Sequence, residues 1–436
     1  MIQDSRISSK IPLFALIGLV LLSLGGTLQA AEIDSGDTAW ISASTALVLF
    51  MTLPGLALFY GGLVQGRNVL SVLMHCFAIA CVMTLVWVVA GYSLAFSGDG
   101  KFIGNLDLMF LKGFEWDAAN GTIPNILHFM FQMTFFIITP ALIIGTFVER
   151  IKFSAMMVFI TAWSLLVYAP VCHMVWGEGG WLIARETPTI DLAGGVVVHI
   201  TAGFAALLAC IMIGPRQNPR PPHNLVLTVM GTCMLWVGWF GFNGGSGLAA
   251  NAAAAMSITV THISAATAAC TWAAIEWFGH TKKPSVLGIA TGSIAGLAAI
   301  TPAAGVAGPM GAILIGFLSG AICFWFSVKL KNKLGYDDSL DVFGVHGIGG
   351  LVGTLMAAVV GLEALGGIPD GDGNFVNFGP QITTQLIASV FTIVFTLVVT
   401  FIILKVVDMT IGLRVDENAE TIGLDQASHG ETAYND

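Results

Sequence analysis

The chain has 436 residues, of which 56% are hydrophobic and only 10% charged, with a formal net charge of −9 and a mean hydropathy of +0.85. Soluble globular domains carry about 25% charged residues, so the composition excludes that class and predicts an all-α integral membrane protein. The net charge says little about partners, because the acidic residues gather in loops and at the two ends; no nucleic-acid partner is expected. The 52 glycines predict closely packed membrane helices, since small residues let backbones approach. The cysteines (Cys76, Cys81, Cys172, Cys210, Cys233, Cys270 and Cys323) all fall in apolar runs and none forms a CxxC pair. They read as buried, inert thiols, not as disulfides or a zinc site.

Residues 1–30 read as a secretory signal peptide. Arg6 and Lys10 form a basic start, Ile11 to Leu24 an apolar core, and Leu28-Gln29-Ala30 a cleavage site. The competing reading is an uncleaved first helix. A transmembrane domain over 31–408 follows, with eleven spans near 38–62, 69–96, 124–148, 154–176, 191–213, 225–243, 252–278, 286–305, 307–330, 341–365 and 380–407. With the mature N-terminus outside, the inner segments carry twelve Lys and Arg residues, from Arg67 to Arg414, and the outer loops only Lys101, Lys112 and Arg185. That bias fits the positive-inside rule and an odd number of spans. Spans one to five and six to ten then form two inverted five-helix repeats, followed by a final helix, an architecture that places sites near the bilayer midplane. The outer loops at 97–123 and 366–379 are rich in Gly, Asn and Asp, as turns are. Residues 409–436 form a polar, acidic cytoplasmic tail, read as a docking or regulatory element.

No GxxxxGK[ST], HExxH or GxSxG motif occurs, so ATP-driven transport and intramembrane zinc proteolysis have no support. No cofactor or metal is expected. An enzyme is disfavoured, because no activated nucleophile or metal cluster stands out. Two stretches do: Asp191-Leu192-Ala193-Gly194-Gly195-Val196-Val197-Val198-His199 and Asp341-Val342-Phe343-Gly344-Val345-His346. If helical throughout, His199 lies roughly 12 Å from Asp191, and His346 roughly 7 to 8 Å from Asp341. Ionisable groups at such depth are costly and mark function by default. The competing reading is a packing histidine bonded to a carbonyl, which the matched pair disfavours. A neutral imidazole offers one donor and one acceptor, so two together suit a small polar solute or a proton relay. His75, His128, His173 and His262 lack the matched context and read as structural. Asp191 reads as a helix cap, as a residue stabilising a cation at the outer mouth, or as both; Asp341 reads as a cap alone. Phe131, Phe135 and Phe136, Trp176, and Trp239, Phe240 and Phe242 cluster towards the outer face. Most membrane aromatics are core or interfacial belt. Trp176, Phe131 and Phe135 lie at outer span ends, where a cation–π cage has room, with the Ser246 hydroxyl as an added acceptor.

Together these residues resemble the ammonium transporter (Amt/Rh) family, and the bacterial ammonium channels in particular. The resemblance runs from about Ser44 to the C-terminus. It is carried by Phe59-Tyr60-Gly61-Gly62, Glu149-Arg150-Ile151-Lys152-Phe153-Ser154, Trp239-Phe240-Gly241-Phe242-Asn243, both Asp…His stretches and Gly412-Leu413-Arg414-Val415. It implies that Trp176, Phe131, Phe135 and Ser246 form an outer ammonium recruitment site supported by Asp191. It further implies that Phe135 and Phe242 form a gate beneath that site, and that His199 and His346 line a hydrophobic pore. Ammonium would lose its proton outside and cross as ammonia, with methylammonium as an analogue. The resemblance also implies a homotrimer in the plasma (inner) membrane, its C-terminus cytoplasmic and open to a PII-type regulatory protein. Leu192 departs from the family, which usually has an aromatic beside the aspartate. The rival expectations are an electroneutral ammonia or carbon dioxide channel, and an ammonium sensor, for whose appended signalling domain the short tail leaves no room.

Overall fold

The computed structural model describes residues 32–279 and 281–434; the expected signal peptide lies outside the described residues. Among them, eleven helices are long and apolar enough to cross a membrane. In chain order they are α1 (Ser35–Leu63), α2 (Gly66–Phe96), α3 (Asn125–Thr146), α4 (Phe153–Trp176), α5 (Gly195–Ile213), α6 (Leu225–Gly245), α7 (Ala252–Phe278), α8 (Val286–Ala303), α9 (Pro309–Leu334), α10 (Phe343–Val360) and α11 (Phe378–Thr410). They coincide with the expected spans apart from a few residues at their ends. Outer and inner sides are named here by the Lys/Arg count above. Local chemistry sets several starts: Asn224, Asn251 and Ser285 accept backbone N–H bonds from the first turns of α6, α7 and α8, as N-cap side chains do. A short helix, α12 (Glu417–Ile422), follows in the tail.

The chain forms two inverted five-helix repeats and a final helix. α3, α5, α8 and α10 are buried over most of their length, whereas α2 and α11 turn most of their surface outward. At the centre α5 crosses α10, and glycine makes the crossing possible. A Cβ on Gly203 would stand 2.2 Å from the Gly347 Cα, and one on Gly350 would stand 2.6 Å from the His199 Cβ. Each of those glycines lies four residues beyond its own repeat's histidine. The contact is therefore reciprocal: each helix presents its glycine to the histidine turn of the other.

Both helices open with a π-helical turn, Gly195–Ile200 and Phe343–Gly347, and each turn holds the histidine. Such turns are rare and concentrate at functional positions. α5 starts at Gly195, so Asp191 precedes the helix instead of sitting on it. Gly194, at φ +116°, supplies the left-handed turn between them, where a Cβ would strike the Val198 side chain. The inner counterpart corrects the sequence reading. Asp341 does not cap α10; its carboxylate pairs with Lys331. The cap is Asp338, whose Oδ2 accepts the Phe343 N–H at 2.8 Å. Asp338 stands eight residues before His346, as Asp191 does before His199, so these two are the true counterparts. The cysteine reading also needs correction, because Cys81, Cys233 and Cys270 are exposed on the outward helix surfaces.

On the inner side one charged network ties the loops together. Arg216 donates to Asp337 Oδ1 at 2.7 Å and to Glu149 Oε2 at 2.9 Å. Burial opposes the Asp337 charge, but the hydrogen bonds and positive charge of Arg216 outweigh it and hold that carboxyl down at about 2. Arg150 is fully buried and donates to Gly214 O, Ser339 Oγ and Asp337 O. The tail joins this surface. Val415 N–H donates to Arg150 O and Lys152 N–H to Leu413 O, Arg414 pairs with Glu420, and Asp425 Oδ1 accepts the Ser71 N–H at the start of α2.

Overpacking a tight contact costs about 1–3 kcal/mol. Gly203→Ala should therefore lower the fraction of protein that stays folded on heating in detergent. Gly371→Ala, whose Cβ would meet nothing within 4 Å, should leave it unchanged.

Candidate functional site

The ends of α3, α4 and α6 and the loop before α5 enclose an outer cavity of about 220 Å³. Its lining includes Phe135, Trp176, Ser246, Leu192, His128 and Gln132. Trp176 is held by its indole N–H, which donates to the Asp191 carbonyl at 2.8 Å, and its ring meets Phe135 edge-on at 6.0 Å. The Ser246 hydroxyl donates to Phe242 O at 2.7 Å, which leaves its lone pairs to accept from a solute. Phe131 does not border the cavity; it is fully buried and packs edge-to-face on Phe135 at 5.1 Å. A cation above these rings would meet π-faces and oxygen acceptors, the chemistry of a cation–π site.

Asp191 is buried beside this cavity. Its Oδ1 accepts the N–H groups of Gly194 and Gly195, and its Oδ2 those of Val196 and Val197 at 2.8 and 3.0 Å. Both sequence readings therefore meet in one residue, with the side chain as helix cap and the carbonyl as anchor for Trp176.

Beneath the cavity the Phe135 and Phe242 rings lie 4.4 Å apart at 35°, closing the way inward. Below them a narrow, largely enclosed hollow is lined by His199, His346 and ten apolar side chains, among them Ile138, Leu142, Val198, Leu235, Trp239 and Ile294. His199 stacks on His346 at 5.2 Å and 20°, and on Trp239 at 5.5 Å. The Trp239 indole N–H is spent on Thr301 Oγ1 at 2.8 Å, which leaves the imidazoles as the polar groups of the passage. Both ring nitrogens of His199 and Nδ1 of His346 are buried with no hydrogen-bond partner. Since buried polar atoms are normally paired, these are the atoms a passing solute would meet. The packing reading of the pair, which required bonds to carbonyls, has no such bond behind it at those three nitrogens. His173 does fit that reading, as both its nitrogens face the carbonyls of Ala95 and Gly100.

Sequence reasoning missed two cavity residues. His128 read as structural, yet it borders the cavity with Nδ1 3.2 Å from the Tyr92 hydroxyl. Gln132, one turn further along α3, holds Oε1 buried without a partner. Their spacing from Phe135 along one helix was the available signal. Among the described residues no group of three or more His, Cys, Asp or Glu could hold a metal ion.

A polytopic helical protein with inverted repeats, whose two central histidines line a narrow apolar hollow near the middle of the bundle, fits the class of membrane channels and transporters. Comparison with known proteins makes the assignment specific. Residues 39–434 match the Ammonium Transporter Family. The chain is 44% identical to an ammonium transporter of Bacillus subtilis, over 92% of this chain and 99% of that one. It is equally identical to an ammonium transporter of Aquifex aeolicus, covering 96% and 98%. It superposes on the structure of Candida albicans Mep2 with a TM-score of 0.82 at 33% identity, covering 92% of this chain and 91% of that one. The chain belongs to the ammonium transporter family.

Replacing an N-cap aspartate by alanine costs about 0.5–2 kcal/mol. With four buried N–H groups on one carboxylate, Asp191→Ala should fall at or beyond the upper end, read as a lowered thermal midpoint. Ammonium uptake should fall further than that loss of folded protein accounts for, because the Trp176 anchor shifts with the loop.

Proposed function

We propose that this ammonium transporter recruits ammonium in the outer cavity between Trp176, Phe135 and Ser246, with Phe131 backing Phe135 and Asp191 supporting the site from beneath. Ammonium gives up its proton there, passes the Phe135–Phe242 gate and crosses between His199 and His346 as ammonia, while the proton follows a separate route. The observation that carries this reading is the sequence of environments along one line. A cavity offering π-faces and oxygen acceptors is followed by closed rings, and then by a passage whose polarity is limited to uncharged donors and acceptors. A cation could leave the first environment for the last only by shedding its charge. Potassium cannot do so, and the passage lacks the carbonyl rings on which potassium filters depend. Selectivity thus rests on deprotonation, not on ion size, and methylammonium should be carried as an analogue.

The membrane is the plasma (inner) membrane, with the N-terminus outside and the C-terminus in the cytoplasm, in accord with the Lys/Arg distribution. The protein acts as a homotrimer with one passage per subunit. His262 supports this assembly: it lies exposed midway along α7, against Trp236 and Phe240. An imidazole facing lipid at that depth is costly, and a neighbouring subunit would cover it. The tail and inner loops form the docking surface for a PII-type protein.

The reading is tested by recording charge movement in proteoliposomes after an ammonium pulse, with potassium as control and an internal pH dye alongside. A sustained ammonium-specific current is expected. Potassium currents of equal size would refute deprotonation as the filter, and alkalinisation without current would identify an electroneutral ammonia channel. His199→Ala should alter ammonium flux or selectivity with the trimer intact by light scattering. A disassembled variant would return His199 to a packing role.

A further inference from the structure

His173 is fully buried in the last turn of α4. It is not among the residues that border the outer cavity, yet it joins two of the elements that wall it. Its Nδ1 stands 3.0 Å from the carbonyl oxygen of Ala95, and its Nε2 faces that of Gly100. Ala95 belongs to the last turn of α2, where helix carbonyls have no partner within their own helix. Gly100 lies in the 97–123 loop. A carbonyl oxygen only accepts, whereas a neutral imidazole has one N–H and one lone pair. Only the imidazolium, with two N–H groups, donates to both oxygens at once. α2 and α4 both end at this place, so the negative poles of two helices converge beside the ring.

The neighbours of this clasp are cavity residues. Phe96 follows Ala95, Val175 and Trp176 follow His173 by two and three positions, and all three line the outer cavity. The loop beyond α4 is drawn in as well. Trp181 N–H donates to Lys101 O at 2.7 Å, and the N–H of Ile183, another cavity residue, donates to Met174 O at 3.0 Å. The titratable and charged groups on the elements packed around the ring are Tyr92 on α2, Asp99 and Lys101 beside Gly100, His128 on α3, Cys172 and Glu178 on and beyond α4, and Asp191 before α5. Among the described residues the ring's hydrogen bonds run to the two carbonyls alone.

We propose that His173 is a positioning residue for ammonium recruitment: its imidazolium clasps the ends of α2 and α4 and so fixes Phe96 and Trp176 in the wall of the outer cavity. Loss of its proton frees one carbonyl and loosens that wall. Ammonium is therefore held more tightly in acid surroundings and less tightly in alkaline ones. The inference rests on recruitment in this cavity, as proposed above.

The test measures initial ammonium flux into proteoliposomes of the full chain over a range of ammonium concentrations. The pH is equal on both sides, so that no proton gradient contributes. From about pH 5 to 8, the range in which histidine changes charge, the half-saturating concentration of the unaltered chain should rise about five-fold, the lower end of coupling between two sites. Maximal flux should change little. His173→Gln, which carries no charge, should keep that maximal flux and hold half-saturation near the alkaline value at every pH. In bilayers, nitrogen magnetic resonance of the full chain with labelled histidine should show one ring with two hydrogen-bonded N–H groups at acid pH, and His173→Gln should remove that signal.

Four results would overturn the proposal. Half-saturation independent of pH in the unaltered chain does so whether or not a variant folds. A His173→Gln profile parallel to that of the unaltered chain, with only maximal flux lowered, would leave His173 a packing role. Weaker binding on the acid side would mean that repulsion between imidazolium and ammonium outweighs the clasp. A ring that keeps a single N–H throughout would remove its chemical basis. The ring spectrum is read without transport, so failure of the clasp and failure of the recruitment reading are told apart.

Discussion

Four backbone N–H groups converge on the carboxylate of Asp191, and much of the remaining geometry depends on that convergence. The N-terminus of a helix leaves such donors unpaired, and inside a membrane no water is at hand to satisfy them. By accepting all four, Asp191 decides where α5 begins and therefore how far His199 stands below the outer cavity. Its carbonyl holds the Trp176 indole, so the floor of the cavity and the start of the central helix share one residue. The partner repeat uses the same device at Asp338 with a single N–H bond to Phe343.

The distribution of polarity follows a consistent logic. Charge is concentrated on the inner side, where Arg216, Glu149 and Asp337 satisfy one another and Arg150 is spent on carbonyls and a hydroxyl. That network joins the loops after α3, α5 and α9 to the tail, so the inner surface behaves as one connected layer. Along the central passage, by contrast, polarity is reduced to two imidazoles that keep unpaired nitrogens. A protein that bonded those nitrogens to its own backbone would leave a solute nothing to exchange for its hydration.

Much of this was legible in the sequence. Long apolar runs fixed the eleven helices, and His199 and His346 stood out because each closes a matched stretch that opens with an aspartate. The cap of α10 was misread because Asp341 is the nearer carboxylate; the correct partner, Asp338, was marked by its matching eight-residue spacing from the histidine. His128 escaped because nothing in its neighbours distinguishes a cavity-facing imidazole from a packed one like His173; only the helix face it shares with Gln132 and Phe135 does so. The π-helical turns were not legible at all. They lie where the two helices press together at glycine, a tertiary contact that local sequence preference does not encode. The tail's docking onto Arg150 and Ser71 depends likewise on partners far away in the chain.

The glycine crossing of α5 and α10 also limits how the molecule can move. Transporters built from inverted repeats commonly alternate access by rocking one repeat against the other about a central site. Such rocking needs an interface that can slide or part. Here the two repeats meet backbone against backbone at Gly203 and Gly347, with the histidine turns locked beside them, and a pivot there would have to separate both contacts at once. Such packing favours local motion, a swing of rings such as Phe135 and Phe242, over a rocking of the scaffold. Under the proposed function, a device of that kind would need no return stroke, and its turnover would not be paced by a conformational cycle.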